Sequence, residues 1–183
     1  MCGIIAYDGQ TEALPIVSKG LKNLEYRGYD SAGIALRENG HLAIHKQSGE
    51  IDDLELPSSS DATCALGHTR WSTHGKPTDA NAHPHTDCTG EIAVVHNGII
   101  ENYLELKAEL SDHTFTSDTD TEVIPHLLEE VLDDDLPSAV SEVTERLEGS
   151  YAFAVVALGH EGFVAARQDS PLVVGHDEDG TFV

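Results

Sequence analysis

Positive charge is what this sequence has least of. Its 183 residues carry ten Lys and Arg against 33 Asp and Glu, a formal net charge of −23 with histidine neutral. Phosphate backbones are held by clustered Lys and Arg, so ten scattered cations argue against a nucleic-acid partner. An anionic membrane surface is disfavoured on the same ground. Long apolar runs are also missing, and nothing approaches the roughly 20 residues that a bilayer span needs. The start, MCGIIAYDGQ, has no basic stretch ahead of an apolar one and does not read as a secretion signal. Cysteine is sparse and odd in number, at positions 2, 64 and 88, which excludes a disulfide scaffold and points to a reducing cytosol.

Apolar residues are present in ordinary amount. At 39% hydrophobic, with a mean hydropathy of −0.25, the chain is no disordered acidic tail, and its length suits one domain with a sizeable core. The carboxylates cluster at Asp52-Asp53, Glu129-Glu130, Asp133-Asp134-Asp135 and Asp177-Glu178-Asp179. Such a surface repels itself in dilute buffer and is relieved in concentrated salt, where the Debye length is about 3 Å at 1 M. We read it as halophilic, adapted to a salt-loaded cytosol; the plain alternative is an ordinary acidic protein.

The hydrophobic pattern predicts a buried strand over 2–7. A helix follows, with Thr11 as N-cap, Leu14, Val17, Leu21 and Leu24 on one face, and Pro15 in the first turn. Strands at 31–37 and 41–47 flank Asn39-Gly40, a hairpin signal. Further strands are expected at 63–69, 91–96, 151–158, 162–166 and 172–174, and helices at 101–110, 119–132 and 136–147. Pro125 should kink the second of these or move its start. Residues 70–90 lack periodicity yet hold the single Trp and three of the eleven His; a structureless stretch of about 20 residues in a compact domain is more often functional than idle. Strands at both ends around central helices imply α+β layers.

Cys2 is the sharpest chemical feature. If Met1 is removed, one residue carries a thiol of ordinary pKa about 8.5 and an α-amine of about 7.7–8.0. Nucleophile and general base then arrive together. Alone, Cys2 also fits a small apolar residue in a buried strand. The companion segments decide between these: MCGIIA at 1–6, LEYRGYDSAG at 24–33, GHTRWSTHG at 67–75, NAHPH at 81–85, VVHNGIIEN at 94–102 and SDTDTEV at 117–123. Together they closely resemble the N-terminal-nucleophile (class II) glutamine amidotransferases, and among them the glutaminase domain of the glutamine–fructose-6-phosphate aminotransferases, over about residues 1–175. The phosphoribosyl-pyrophosphate amidotransferases are a same-class alternative, although LEYRGY and RWSTHG stand where that group has LQHRGQ-like and RYST-like text. A non-catalytic glutamine-binding fragment is the alternative from another class.

The resemblance implies a four-layer αββα sandwich that continues for some strands beyond residue 183, with sugar-isomerase domains elsewhere. It implies L-glutamine as substrate, a homodimeric full-length enzyme in the cytoplasm, and no cofactor. Cys2 is the implied nucleophile, and Asn97 with Gly98 the oxyanion hole. Locally, Asn97-Gly98 reads equally well as a turn. Arg70 and Thr73 are implied to hold the α-carboxylate with His74 beside them, a pairing that a planar guanidinium favours; a surface ion pair is the plain reading of Arg70. Asp120 is implied to meet the α-ammonium, although Asp118, Thr119 or Asp120 could each simply cap a helix. Arg27 is expected to organise the Cys2 pocket and favour its thiolate electrostatically, or else to pair with Asp30. Trp71 sits at the implied ammonia-channel gate, or is a core residue. No metal is expected: His83-x-His85-x-x-Cys88 matches no standard zinc spacing, and a calcium loop from Asp118 fails because its sixth position is Val123. Gly75-Lys76-Pro77 is no phosphate loop, so a sugar phosphate should bind elsewhere.

The acidic surface sets the first expectation. The unfolding midpoint should rise as KCl goes from dilute to molar, followed by circular dichroism, and a flat response would exclude salt adaptation.

Overall fold

The computed structural model describes residues 2–71 and 76–183. Two antiparallel sheets pack face to face. The first has the order β3-β2-β4-β1-β10-β9, from β1 (Gly3–Gly9), β2 (Ser31–Glu38), β3 (His41–Ser48), β4 (Cys64–Arg70), β9 (Gly175–His176) and β10 (Gly180–Phe182). The second, β5-β6-β7-β8, is built from β5 (His85–Thr86), β6 (Ile92–Ile100), β7 (Gly149–Ala157) and β8 (Val164–Gln168). Helix α1 (Ala13–Leu24) covers the outer face of the first sheet. Helices α2 (Tyr103–Glu109), α3 (Val123–Val131) and α4 (Leu136–Arg146) cover the second. This is the expected αββα sandwich.

Period-two alternation assigns each residue to a layer. In β7, Tyr151, Phe153, Val155 and Ala157 pack against α3 and α4, through Ile124, Leu127, Leu128, Val140 and Val143. The intervening Ala154 and Val156 meet Ala6, Ala35, Leu66, Ala93 and Val95 between the sheets. Each large side chain so buried contributes about 1.5–3 kcal/mol, and the alanines of the middle layer let the sheets approach. On the far side, Leu14, Val17 and Leu21 of α1 pack on Tyr7, Ile34 and Leu36, the helical face read from the sequence.

Two local expectations change and two open alternatives are settled. Helix α1 has Glu12, not Thr11, at its N-cap, and the Thr11 hydroxyl instead lies 2.9 Å from the Tyr7 hydroxyl. Asn97-Gly98 is no turn: both residues lie inside β6, opposite Ala152 and Tyr151. Pro125 moves a helix start rather than kinking it, since a 3-10 turn at Asp120–Glu122 precedes α3 and leaves the proline in the first turn. No strand forms at 172–174. Val173 and Val174 are 80% and 65% exposed with no sheet face to pack on, and the pairing passes to β9 and β10.

Candidate active site

The middle layer is apolar at one end and polar at the other. Along the inward face of β4, Cys64 and Leu66 are followed two residues at a time by His68 and Arg70, all buried. Along β6, Ala93 and Val95 are followed by Asn97, and along β1, Ala6 and Ile4 lead back to Cys2. Gly3 pairs with Thr69, so the residue before β1 lies beside the end of β4. There the Trp71 backbone N–H donates to Cys2 Sγ at 3.2 Å.

Asn97 is oriented from behind. His68 Nε2 lies 3.0 Å from the His96 carbonyl and 2.9 Å from Asn97 Oδ1. A carbonyl can only accept, so Nε2 carries the proton and donates to both oxygens. The Asn97 amide group therefore turns its NH2 forward, where it donates to the Cys2 carbonyl at 3.3 Å. Next to it, Gly98 has φ +116°, and a Cβ there would lie 2.0 Å from the Ser150 carbonyl oxygen. Only glycine fits, because this φ is one that L side chains rarely adopt and the backbone of β7 leaves no room.

Asp120 comes from the opposite wall. It does not cap a helix: Thr119 is at the cap position, and Asp120 Oδ2 accepts the Ile100 N–H at 2.7 Å. Its turn is braced by Glu122, which accepts hydrogen bonds from the N–H and hydroxyl groups of Thr116 and Ser117. Burial alone would raise the Glu122 pKa, but these hydrogen bonds hold it below the usual carboxylate range. Cys2, Arg70, Trp71, Asn97, Gly98 and Asp120 line one half-open cavity of about 500 Å³, counting the part open to solvent. A guanidinium and a carboxylate thus face the same small space as a thiol and an amide NH2. Such a space suits a small zwitterion whose reacting group sits against the sulfur.

The other predicted residues fall outside this group. Arg27 does not line the cavity; its Nε donates to the Tyr26 hydroxyl at 3.1 Å and its guanidinium lies 5.6 Å from the centre of that ring. Its neighbour does the organising: a Cβ on Gly28 would meet the Arg70 carbonyl carbon at 2.6 Å, so glycine lets this loop press on the Arg70-Trp71 backbone. Trp71 is 42% exposed, which removes the core reading, and meets Tyr29 edge to face at 5.3 Å. Thr73 and His74 lie outside the described residues.

Sequence reasoning missed the polar floor. His83 Nε2 and His96 Nδ1 both bond the Thr121 hydroxyl, at 3.0 and 2.8 Å, and His85 Nε2 bonds that of Thr119 at 3.1 Å. The rings of His68 and His83 stack at 4.1 Å. Lys46 clamps the loop that carries His83 and His85, donating to the carbonyls of Ala80, Ala82 and Pro84. Thr121 and His68 lie in the quoted motifs, but nothing local announced their partners.

These four histidines are neutral. Burial depresses His68 to about 3 and His96 to about 4, and holds His83 and His85 well below the ordinary value. An unfolded histidine titrates near 6.5, so between there and the folded values the unfolded state binds more protons. Stability is therefore fully present above about pH 6.5 and is lost as pH falls toward the folded values, by up to about 1.4 kcal/mol per pH unit for each histidine. Urea midpoints measured at about pH 7 and about pH 5 should show this loss, and it should be smaller in His85→Gln by about one proton; equal losses in the two proteins would contradict it.

With the geometry in place, the chain can be compared with known proteins. Residues 68–183 match the family model described as a glutamine amidotransferase domain. The chain is 62% identical, over its full length, to 31% of a glutamine–fructose-6-phosphate aminotransferase (isomerizing) from Halobacterium salinarum. It is 53% identical, over 97% of its length, to 30% of the protein of that name from Symbiobacterium thermophilum. It thus spans about a third of the length of these relatives. Among solved structures, a Bacillus subtilis glutamine phosphoribosylpyrophosphate amidotransferase with ADP and GMP matches the whole chain, and 41% of that chain, at TM-score 0.84 and 27% identity. A structure titled as the allosteric regulatory enzyme of purine biosynthesis matches at 0.85 and 26%, again over the whole chain and 41% of the other. The chain belongs to the glutamine amidotransferase domain family.

Proposed function

We propose that this chain is the glutaminase part of a glutamine–fructose-6-phosphate aminotransferase, hydrolysing the side-chain amide of L-glutamine to supply ammonia. The observation that carries this is the meeting of Cys2, Asn97, Gly98, Arg70 and Asp120 in one cavity. Arg70 takes the α-carboxylate of glutamine, helped by Thr73 and His74, and Asp120 takes the α-ammonium. Removal of Met1 frees the Cys2 amine, which accepts the thiol proton as Sγ attacks the amide carbon. The oxyanion that forms is held by the Asn97 NH2 and the Gly98 N–H. As the C–N bond breaks, the proton passes from the ammonium of Cys2 to the leaving nitrogen, and ammonia departs. Water then adds to the γ-glutamyl thioester, glutamate leaves and the thiol is restored.

The whole enzyme pairs this part with a sugar-isomerase domain that binds fructose 6-phosphate and makes glucosamine 6-phosphate, and it acts as a homodimer in the cytoplasm. Trp71 gates the ammonia, a role supported by its half-exposed position beside Cys2. Identity to the named aminotransferases is about twice that to the phosphoribosylpyrophosphate enzyme, which supports this reading over that alternative. Among the described residues no helix is long and apolar enough to cross a membrane. The exposed Asp133-Asp134-Asp135 and Asp177-Glu178-Asp179 runs suit a salt-loaded cytosol.

Intact mass in molar KCl, before and after a diazo-ketone analogue of glutamine, tests the nucleophile. The expected result is chain lacking Met1 that gains one adduct, blocked by excess glutamine. Folded, Met1-free protein without an adduct would favour a non-catalytic glutamine-binding module instead. Asn97→Ala should lower kcat for glutamine hydrolysis about 10²–10³-fold, as loss of one oxyanion donor does; an unchanged kcat would remove Asn97 from the oxyanion hole.

A further inference from the structure

Away from the cavity, four metal-ligating side chains converge from three separate segments. Cys88 follows β5, His113 lies in the loop after α2, and His126 and Glu129 are one turn apart on α3. Their ligand atoms all lie within 4.8 Å of one another. Cys88 Sγ is 3.5 Å from His113 Nδ1 and 3.6 Å from His126 Nδ1. Glu129 Oε2 is 3.0 Å from the first of these nitrogens and 3.3 Å from the second. A tetrahedron with zinc bonds of ~2.3 Å to sulfur and ~2.0–2.1 Å to nitrogen and oxygen has S···N edges of roughly 3.5 Å and N···O edges of roughly 3.3 Å. Three of the tetrahedron's six edges fall on that figure, His113–Glu129 is slightly short, and the Cys88–Glu129 and His113–His126 edges lie within 4.8 Å.

The surroundings fit the same centre. His113 Nε2 faces Glu130 Oε1 at 3.6 Å, and His126 Nε2 faces Glu122 Oε1 at 4.0 Å. Neither distance is a hydrogen bond, and His126 Nε2 is buried without a hydrogen-bond partner, but each ring has a carboxylate on its Nε2 side while its Nδ1 faces the cluster. The Thr114 N–H donates to Cys88 Sγ at 3.4 Å and so orients the sulfur. His126 is buried, whereas Cys88 is exposed and lines an open cleft with Thr86, Thr114 and Thr116, which provides an entry path.

We propose that Cys88, His113, His126 and Glu129 form a tetrahedral site for one zinc ion, separate from the glutamine cavity and structural in role. On binding, the Cys88 thiol gives its proton to solvent and the S–Zn bond forms; thiolate and carboxylate then balance the 2+ charge. All four positions are filled by protein, as in structural rather than catalytic zinc sites. The ion would tie the segment after β5 and the loop after α2 to α3, whose preceding turn carries Asp120 and Thr121. The sequence reading expected no metal because it set Cys88 beside His83 and His85, which face the threonine hydroxyls instead.

The test uses the whole 183-residue protein, stripped with chelator, dialysed, and titrated with Zn²⁺ or Co²⁺. One zinc per chain is expected by elemental analysis, and Co²⁺ should give a thiolate-to-metal charge-transfer band with the visible absorption of tetrahedral coordination. Cys88→Ser and His113→Gln should each weaken zinc binding at least tenfold, and Cys88→Ser should abolish the charge-transfer band, while Cys2→Ser should retain it. Chelation should lower the unfolding midpoint of the wild-type chain by about 2–4 °C or more and leave that of Cys88→Ser unmoved. The proposal is overturned by absence of stoichiometric zinc, by a band that survives Cys88→Ser, or by one that vanishes in Cys2→Ser. Labelling of Cys2 by the glutamine analogue reports on the other site, so failure of either reading is seen separately.

Discussion

The face-to-face packing of two antiparallel sheets is the constraint on which the rest of this molecule depends. Alternation along each strand sends every second side chain into the layer between them, and that layer runs from apolar to polar. Cys64, Leu66, His68 and Arg70 follow one another on β4, and Ala93, Val95 and Asn97 do so on β6. The same packing that buries the alanines therefore also delivers a guanidinium, an imidazole and an amide to the end where Cys2 lies. A one-residue slip of β1 against β4 would turn the inward set outward and remove the site together with the core.

Burial of the imidazoles at that end is offset because each ring has one nitrogen on a partner oxygen. His68 spends its single proton on Asn97 and the His96 carbonyl, and the two hydroxyls of Thr119 and Thr121 serve three more imidazoles. Keeping these rings neutral also matters for the cavity. A charged imidazole beside the buried Arg70 would add like-charge repulsion to the guanidinium. The His68 donor behind Asn97 also fixes which way its NH2 points into the cavity.

Much of the fold was legible because its signals are local. The Asn39-Gly40 hairpin, the apolar face of α1 and the runs of β6 and β7 depend on turn chemistry and hydrophobic period alone. Local signals lost where they had a distant competitor. Thr11 looked like a cap but met Tyr7; Asn97-Gly98 looked like a turn but was held straight by nine paired positions with β7; Val173 looked like strand but found no sheet face. Arg27 turns to the Tyr26 hydroxyl, while Gly28, having no side chain, lets its loop approach the Arg70-Trp71 backbone.

The sequence alone determined the chemistry available: a cysteine at position 2, an arginine kept in a chain of −23 charge, and motif text whose family likeness carries a substrate class. It also determined which face of each strand could be buried, since that is a matter of period. Only the tertiary structure decided who meets whom. Antiparallel register sets Cys2, Arg70 and Asn97 at one end of the layer, the turn before α3 adds Asp120, and the packing of α3 against its neighbouring loops brings Cys88 to His113 and His126. Those distances are set by sheet and helix packing summed over the whole chain, a quantity that no local pattern contains.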